Sequence, residues 1–134
     1  MKKAGILNSD ISRVLSCMGH TDTLCIGDCG LPVPDGVERI DLALSFGEPG
    51  FLRTLEVVAG DMKIEKIVLA QEIEEKNPQA LAGVLALFKD QDISVEYVTH
   101  EELKARTRGC KAVIRTGETT PYANVILQSG CIFG

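Results

Sequence analysis

The sequence predicts an α/β fold, a mostly parallel sheet flanked by helices. Three observations lead there. Segments with apolar residues at helical spacing alternate with short runs of strand length and strand pattern. The run "IEKIVLA" (64–70) ends in continuous apolar residues, as expected of a strand covered on both faces. No repeat, low-complexity tract or linker breaks the alternation, so a single domain over residues 1–134 is expected.

Taken in order, Asn8 or Ser9 can cap a first helix whose apolar stripe is Ile11, Val14, Leu15 and Met18, ending at Gly19. "TLCI" (23–26) reads as a short buried strand and "GDCGLPVP" as a turn-rich loop. "RIDLAL" (39–44) alternates as a strand. A helix then begins around Pro49 with Leu52, Leu55 and Val58 on one face. After the 64–70 strand, Pro78 suits the first turn of a helix carrying Leu81, Val84, Leu85 and Phe88. "ISVEYV" (93–98) alternates cleanly. Thr99 and Glu102 have capping-box spacing for a helix that stops near Gly109. "KAVIRT" (111–116), "GETTPY" and "ANVILQSG" read as strand, turn and strand. The last twelve residues, "ANVILQSGCIFG", are too apolar for a free tail and point to sheet or subunit interface.

Composition narrows the function classes. Hydrophobic residues are 45% and charged residues 25% of 134, ordinary globular usage and enough chain for a real core. The net charge of −5 and the lack of a basic stripe argue against nucleic acid and anionic membrane as partners. "MKKAGILNSD" carries only a four-residue apolar run, far short of a signal peptide or membrane span, and the five cysteines are an odd number. Both point to the cytoplasm, with the cysteines kept as thiols.

The polar groups concentrate in "MGHTDTLCIGDCGLPVP" (18–34). His20, Cys25 and Cys29 form H-x4-C-x3-C with no second ligand pair, so a zinc site is poorly supported, and C-x-x-C is absent. Cys25 reads more simply as a small buried hydrophobe. Neither G-x-G-x-x-G nor a P-loop occurs. The two histidines, His20 after one helix and His100 in the first turn of another, sit at opposite kinds of helix end. If both lined one pocket, that would suit them to opposite roles, acid and base; otherwise each simply decorates a helix end. Asp28 lies just beyond a strand, where open α/β sheets place ligands, or else stabilises the bend as an Asx turn. Tyr122 and Asn124 flank a proline turn and offer groups suited to sugar hydroxyls, though taken alone they read more simply as turn and strand residues. Lys104 falls one helical turn from His100 and either faces the same site or is solvated.

Read together, "GILNSDIS", "MGHTDTLCIGDCGLPVP", "RIDLAL", "THEELK" and "VIRTGETTPYANVIL" resemble the ribose pyranase and fucose mutarotase family, in the family's order and over essentially the whole chain. The stretch after "MGH" is similar to the ribose-acting branch rather than the fucose-acting one. The resemblance implies an α/β fold, a ring-based homodecamer, and cofactor-free, metal-free interconversion of the pyranose and furanose forms of D-ribose, supplying furanose for phosphorylation. It puts the proton donor on His20. It puts sugar-binding positions on Asp28, His100, Tyr122, Ala123 and Asn124, with Lys104 lining the site. A fucose-type mutarotase and a non-catalytic sugar-binding subunit are the alternatives.

Overall fold

The computed structural model describes residues 1–133. In chain order it comprises α1 (Ser9–Cys17), β1 (Thr23–Gly27), β2 (Glu38–Asp41), α2 (Phe51–Ala59), β3 (Ile64–Ala70), α3 (Ile73–Lys76), α4 (Pro78–Phe88), β4 (Ser94–Val98), α5 (His100–Arg106) with a following 3-10 turn (Thr107–Gly109), β5 (Ala112–Arg115) and β6 (Val125–Ser129). The strands form one six-stranded sheet in the order β2-β5-β1-β6-β3-β4. β1, β2 and β5 run parallel, as do β3 and β4, whereas β6 is antiparallel to both its neighbours. The sheet is thus mostly parallel, as expected. β6 reverses because the 116–124 connection is shorter than the roughly dozen residues a parallel crossover needs.

Alternation along the strands sends side chains to two cores. Leu24, Ile26, Ile67, Leu69, Ile114, Val125 and Leu127 face the layer of α1, α2 and α4. Cys25, Val68, Val113 and Ile126 face the opposite way, into a smaller core closed by Leu103 of α5 and Leu31. Strands covered on both faces must be apolar throughout, which is why β1 and β3 read as continuous runs.

The helix starts obey local chemistry. Asn8 Oδ1 accepts from the Ile11 N–H at 2.9 Å, and Asn77 Oδ1 accepts from Ala80 with Pro78 in the first turn. Thr99 caps α5 through the Glu102 N–H, but the Glu102 carboxylate turns to Arg106 at 3.1 Å, so only half of the expected capping box forms. α2 begins at Phe51 rather than Pro49. Its cap, Gly50, has no side chain to offer, and Glu118 from a distant loop accepts the Phe51 N–H instead.

Other expectations need correction. The 39–44 strand ends at Asp41, because the ladder to β5 closes with Leu42 N–H on Arg115 and the chain then turns back at Ser45–Glu48, leaving Leu44 exposed. Leu85 is 39% exposed, since α4 is apolar around most of its circumference and only one side meets the core. Val95 and Tyr97 are half-exposed because β4 is the outer strand. α3, four residues long, is too short to leave a periodic signal. The apolar C-terminal stretch supplies the interior strand β6, while Ile132 and Phe133 stand exposed beyond it.

Candidate active site

Most of the anticipated site residues gather at one end of the sheet. Asp28 follows the last residue of β1, and antiparallel pairing brings the start of β6 beside it, with Ile26 opposite Val125. There the Asp28 N–H donates to Asn124 Oδ1 at 2.9 Å. Gly27 permits this approach: a side chain on it would meet Leu31 at 2.7 Å and Asn124 Oδ1 at 3.0 Å. Asp28 Oδ1 also accepts from Gly30 N–H at 2.9 Å, so the Asx turn is present and the residue still stands at a strand's C-terminal end.

Tyr122 holds a left-handed backbone, φ 57°, uncommon for a residue with a side chain. Its ring meets the His100 imidazole edge to face, centroids 5.1 Å apart. His100 in turn is fixed through its backbone, whose N–H donates to both oxygens of Glu72 at 3.1 Å. Ala123 is buried in the larger core, so only its backbone is free to meet a ligand.

Two nitrogens here, His100 Nδ1 and Asn124 Nδ2, are buried without a hydrogen-bond partner among the described residues. An unmet buried polar group costs about 1–3 kcal/mol and calls for a reason, and a polyhydroxyl ligand seated against Tyr122 is of the right chemistry to supply one.

Residues that no local pattern singles out hold this end in place. Asn77 caps α4 and donates to Thr120 Oγ1 and to the Pro121 carbonyl at 2.9 and 2.8 Å. Glu118 accepts from Phe51 N–H and from the Thr120 hydroxyl, and its backbone carbonyl takes the Cys29 N–H. Burial would raise the Glu118 carboxyl, but the hydrogen bonds from Phe51 and Thr120 outweigh it and hold the group below the ordinary range. Gly117 is equally constrained: a side chain there would strike the backbone of Ser45 and Glu48 at 2.5 Å.

Among the described residues, Lys104 makes no hydrogen bond or ion pair to the cluster. Its ammonium pairs with Glu101 at 2.8 Å beside a recess of about 350 Å³, lined also by Pro32, Val33 and Pro34 of the loop that follows Asp28.

His20 is elsewhere. It precedes β1, and its Nε2 lies 3.0–3.1 Å from both carboxylate oxygens of Glu65, the second residue of β3. The five residues of β1, at roughly 3.3 Å each, put about 16 Å of strand between the His20 and Asp28 ends. One chain therefore does not bring His20 and His100 into a single pocket, and the pairing of two histidines at opposite helix ends fails within it. The same separation sets His20 and Cys29 at opposite ends of β1, with Cys25 buried between them and its thiol pushed well up by burial. His20 itself is half-exposed, on a turn braced by Thr21 N–H to the Ser129 carbonyl, Ser129 N–H to the Asp22 carbonyl, and Gly19 N–H to Asp22 Oδ2. Thr21 takes φ 72° to make that turn.

Known proteins are similar to this chain over nearly its whole length. Residues 1–132 match the model of the RbsD / FucU transport protein family. A D-ribose pyranase of Bacillus cereus is 54% identical over 133 residues, 99% of this chain and 100% of that protein. The structure of Bacillus subtilis RbsD complexed with D-ribose superposes with a TM-score of 0.96 at 50% identity, covering 99% of this chain and 100% of that one. The fucose mutarotase of Streptococcus pneumoniae, solved with L-fucose, shares the fold at a TM-score of 0.78 and 21% identity, with 95% of each chain covered. With a match that spans 132 residues and half or more of the sequence identical, this chain belongs to the RbsD / FucU family.

Proposed function

We propose that this protein is a D-ribose pyranase, an isomerase that interconverts the pyranose and furanose ring forms of D-ribose. The observation that carries this reading is the full-length match, at 50% identity, to a protein crystallised with D-ribose. The cluster of Asp28, His100, Tyr122 and Asn124 at the C-terminal ends of parallel strands supports it, since open α/β sheets bind ligands there.

The chemistry asks only for protons. His20 gives its proton to the ring oxygen as the C1–O5 bond breaks, while a base withdraws the anomeric hydroxyl proton, leaving the open-chain aldehyde. After rotation, the 4-hydroxyl adds to C1 and the two protons return in the opposite sense. General acid–base help of this kind contributes about 10²–10⁴-fold. Asp28, His100, Tyr122, Asn124 and the Ala123 backbone orient the hydroxyls, and Lys104 borders the entrance. His100, or a water held by Asp28, takes the base role.

Because His20 and this cluster lie at opposite ends of the sheet, the reaction needs the His20 end of one copy against the sugar-binding end of another. Two different surfaces then meet, a head-to-tail contact that closes into a ring when repeated. A homodecamer built from such rings fits this requirement, and a cytoplasmic location fits five free thiols. No helix is long and apolar enough to cross a membrane among the described residues.

The test is NMR saturation transfer between the pyranose and furanose signals of D-ribose, with native protein and with His20→Ala. Acceleration by native protein that is lost in the variant is expected. Exchange left unchanged by native protein would sink the reading, and acceleration confined to L-fucose anomers would favour the mutarotase instead.

A further inference from the structure

We infer that Glu65 is the positioning residue for His20: it holds the imidazole by Nε2 and leaves Nδ1 as the nitrogen that exchanges a proton with the sugar. This deepens the reading of His20 as proton donor and rests on it. Both Glu65 oxygens lie within 3.1 Å of Nε2, an arrangement in which the Nε2 proton is shared with the carboxylate and is not the one free to leave. A hydrogen bond on one ring nitrogen fixes the tautomer and the orientation presented by the other.

Glu65 is itself held. Gln128 of β6 donates its amide to Glu65 Oε1 at 2.9 Å. The backbone at that strand end is pinned by Gly130 N–H on the Lys63 carbonyl, and Gly130 leaves room that a side chain would take from Glu65, whose Cβ would lie 3.1 Å away. The Gln128 amide first, and His20 second, keep the Glu65 carboxyl below its ordinary range, so it is anionic wherever the enzyme works. The carboxylate remains an acceptor for the Nε2 proton whether or not Nδ1 carries one.

A structural role is the weaker explanation. His20 is 52% exposed and Glu65 35%, and ion pairs so open to solvent add little to stability. What the contact does fix is where the ring points, together with the braced turn at residues 19–22.

The experiment compares native protein with Glu65→Gln and Gln128→Leu in two readouts. The first is the ¹⁵N shift pair of His20 where its ring is neutral. Native protein should show the Nε2–H form, Glu65→Gln should lose that preference, and Gln128→Leu should weaken it. The second is ribose ring exchange. Glu65→Gln should lower turnover toward that of His20→Ala, with the half-saturating ribose concentration unchanged. A native Nδ1–H form, a Glu65→Gln protein with native turnover, or a loss confined to ribose affinity would overturn the inference. Failure of native protein to accelerate exchange would instead sink the pyranase reading, and the ¹⁵N spectrum would still decide which nitrogen Glu65 holds.

Discussion

Asn124 does more for this protein than its size suggests. It is fully buried, accepts from the Asp28 N–H through Oδ1, and has no partner for Nδ2 among the described residues, at the proposed sugar-binding end. Asn124→Ala should therefore leave the Asp28 amide unmet, lower stability by about 1–3 kcal/mol, and weaken ribose binding; a denaturant titration and a ribose titration check the two effects. His20→Ala should behave in the opposite manner. A half-exposed side chain leaves no cavity, so the melting temperature should hold while exchange falls toward the uncatalysed rate. As candidates, His20, Asp28, His100, Tyr122 and Asn124 were legible because they stand in the motifs that carry the family resemblance. Glu65, Glu72, Asn77 and Glu118 were not, because each acts on a partner 28 to 67 residues away. No local spacing records such a contact. The left-handed backbone of Thr21 and Tyr122 was equally hidden, since neither residue type announces it.

Among the elements, the outer strand β4 depends on charge as much as on burial. Glu96 receives Arg106 through two nitrogens at 2.9 and 3.2 Å and Lys66 at 2.6 Å, tying β4 to α5 and to β3. Arg106 first and Lys66 second draw its carboxyl from about 4.5 down to about 2. A depressed folded-state pKa stabilises the protein above the unfolded value. That contribution should fade as pH falls from about 4.5 toward about 2, and an acid titration of Glu96→Gln should be flatter over that window. Helix α2 depends on packing instead. Phe51 is fully buried, and Phe51→Ala should cost about 3–5 kcal/mol in chemical denaturation. Apart from the four-residue α3, element types and order were readable: Asn8, Pro78 and Thr99 mark three helix starts, and β3 was bounded correctly at both ends. The end of β2, the exposed side of α4 and the start of α2 were not readable. Each is set by a neighbour distant in sequence, β5, the facing helices and Glu118 respectively.

At the scale of the whole molecule, the sheet divides the chemistry between its two ends. The C-terminal ends of β1 and β4 and the start of antiparallel β6 place Asp28, His100 and the Tyr122–Asn124 segment at one, and His20 with Glu65 lie at the other. Motifs in sequence put His20 eight positions from Asp28, and only the strand between them shows that the two face away from each other. On the proposed roles, a proton donor and a sugar site held apart in this manner would make catalysis a property of neighbouring copies. The most direct test coexpresses His20→Ala and His100→Ala chains and measures ribose ring exchange. Each variant alone should be strongly impaired, and the mixed assembly should recover activity toward about a quarter of native, the fraction of contacts in which an intact His20 end meets an intact proposed sugar-binding end. A mixed assembly as silent as its parents would contradict a site shared between copies.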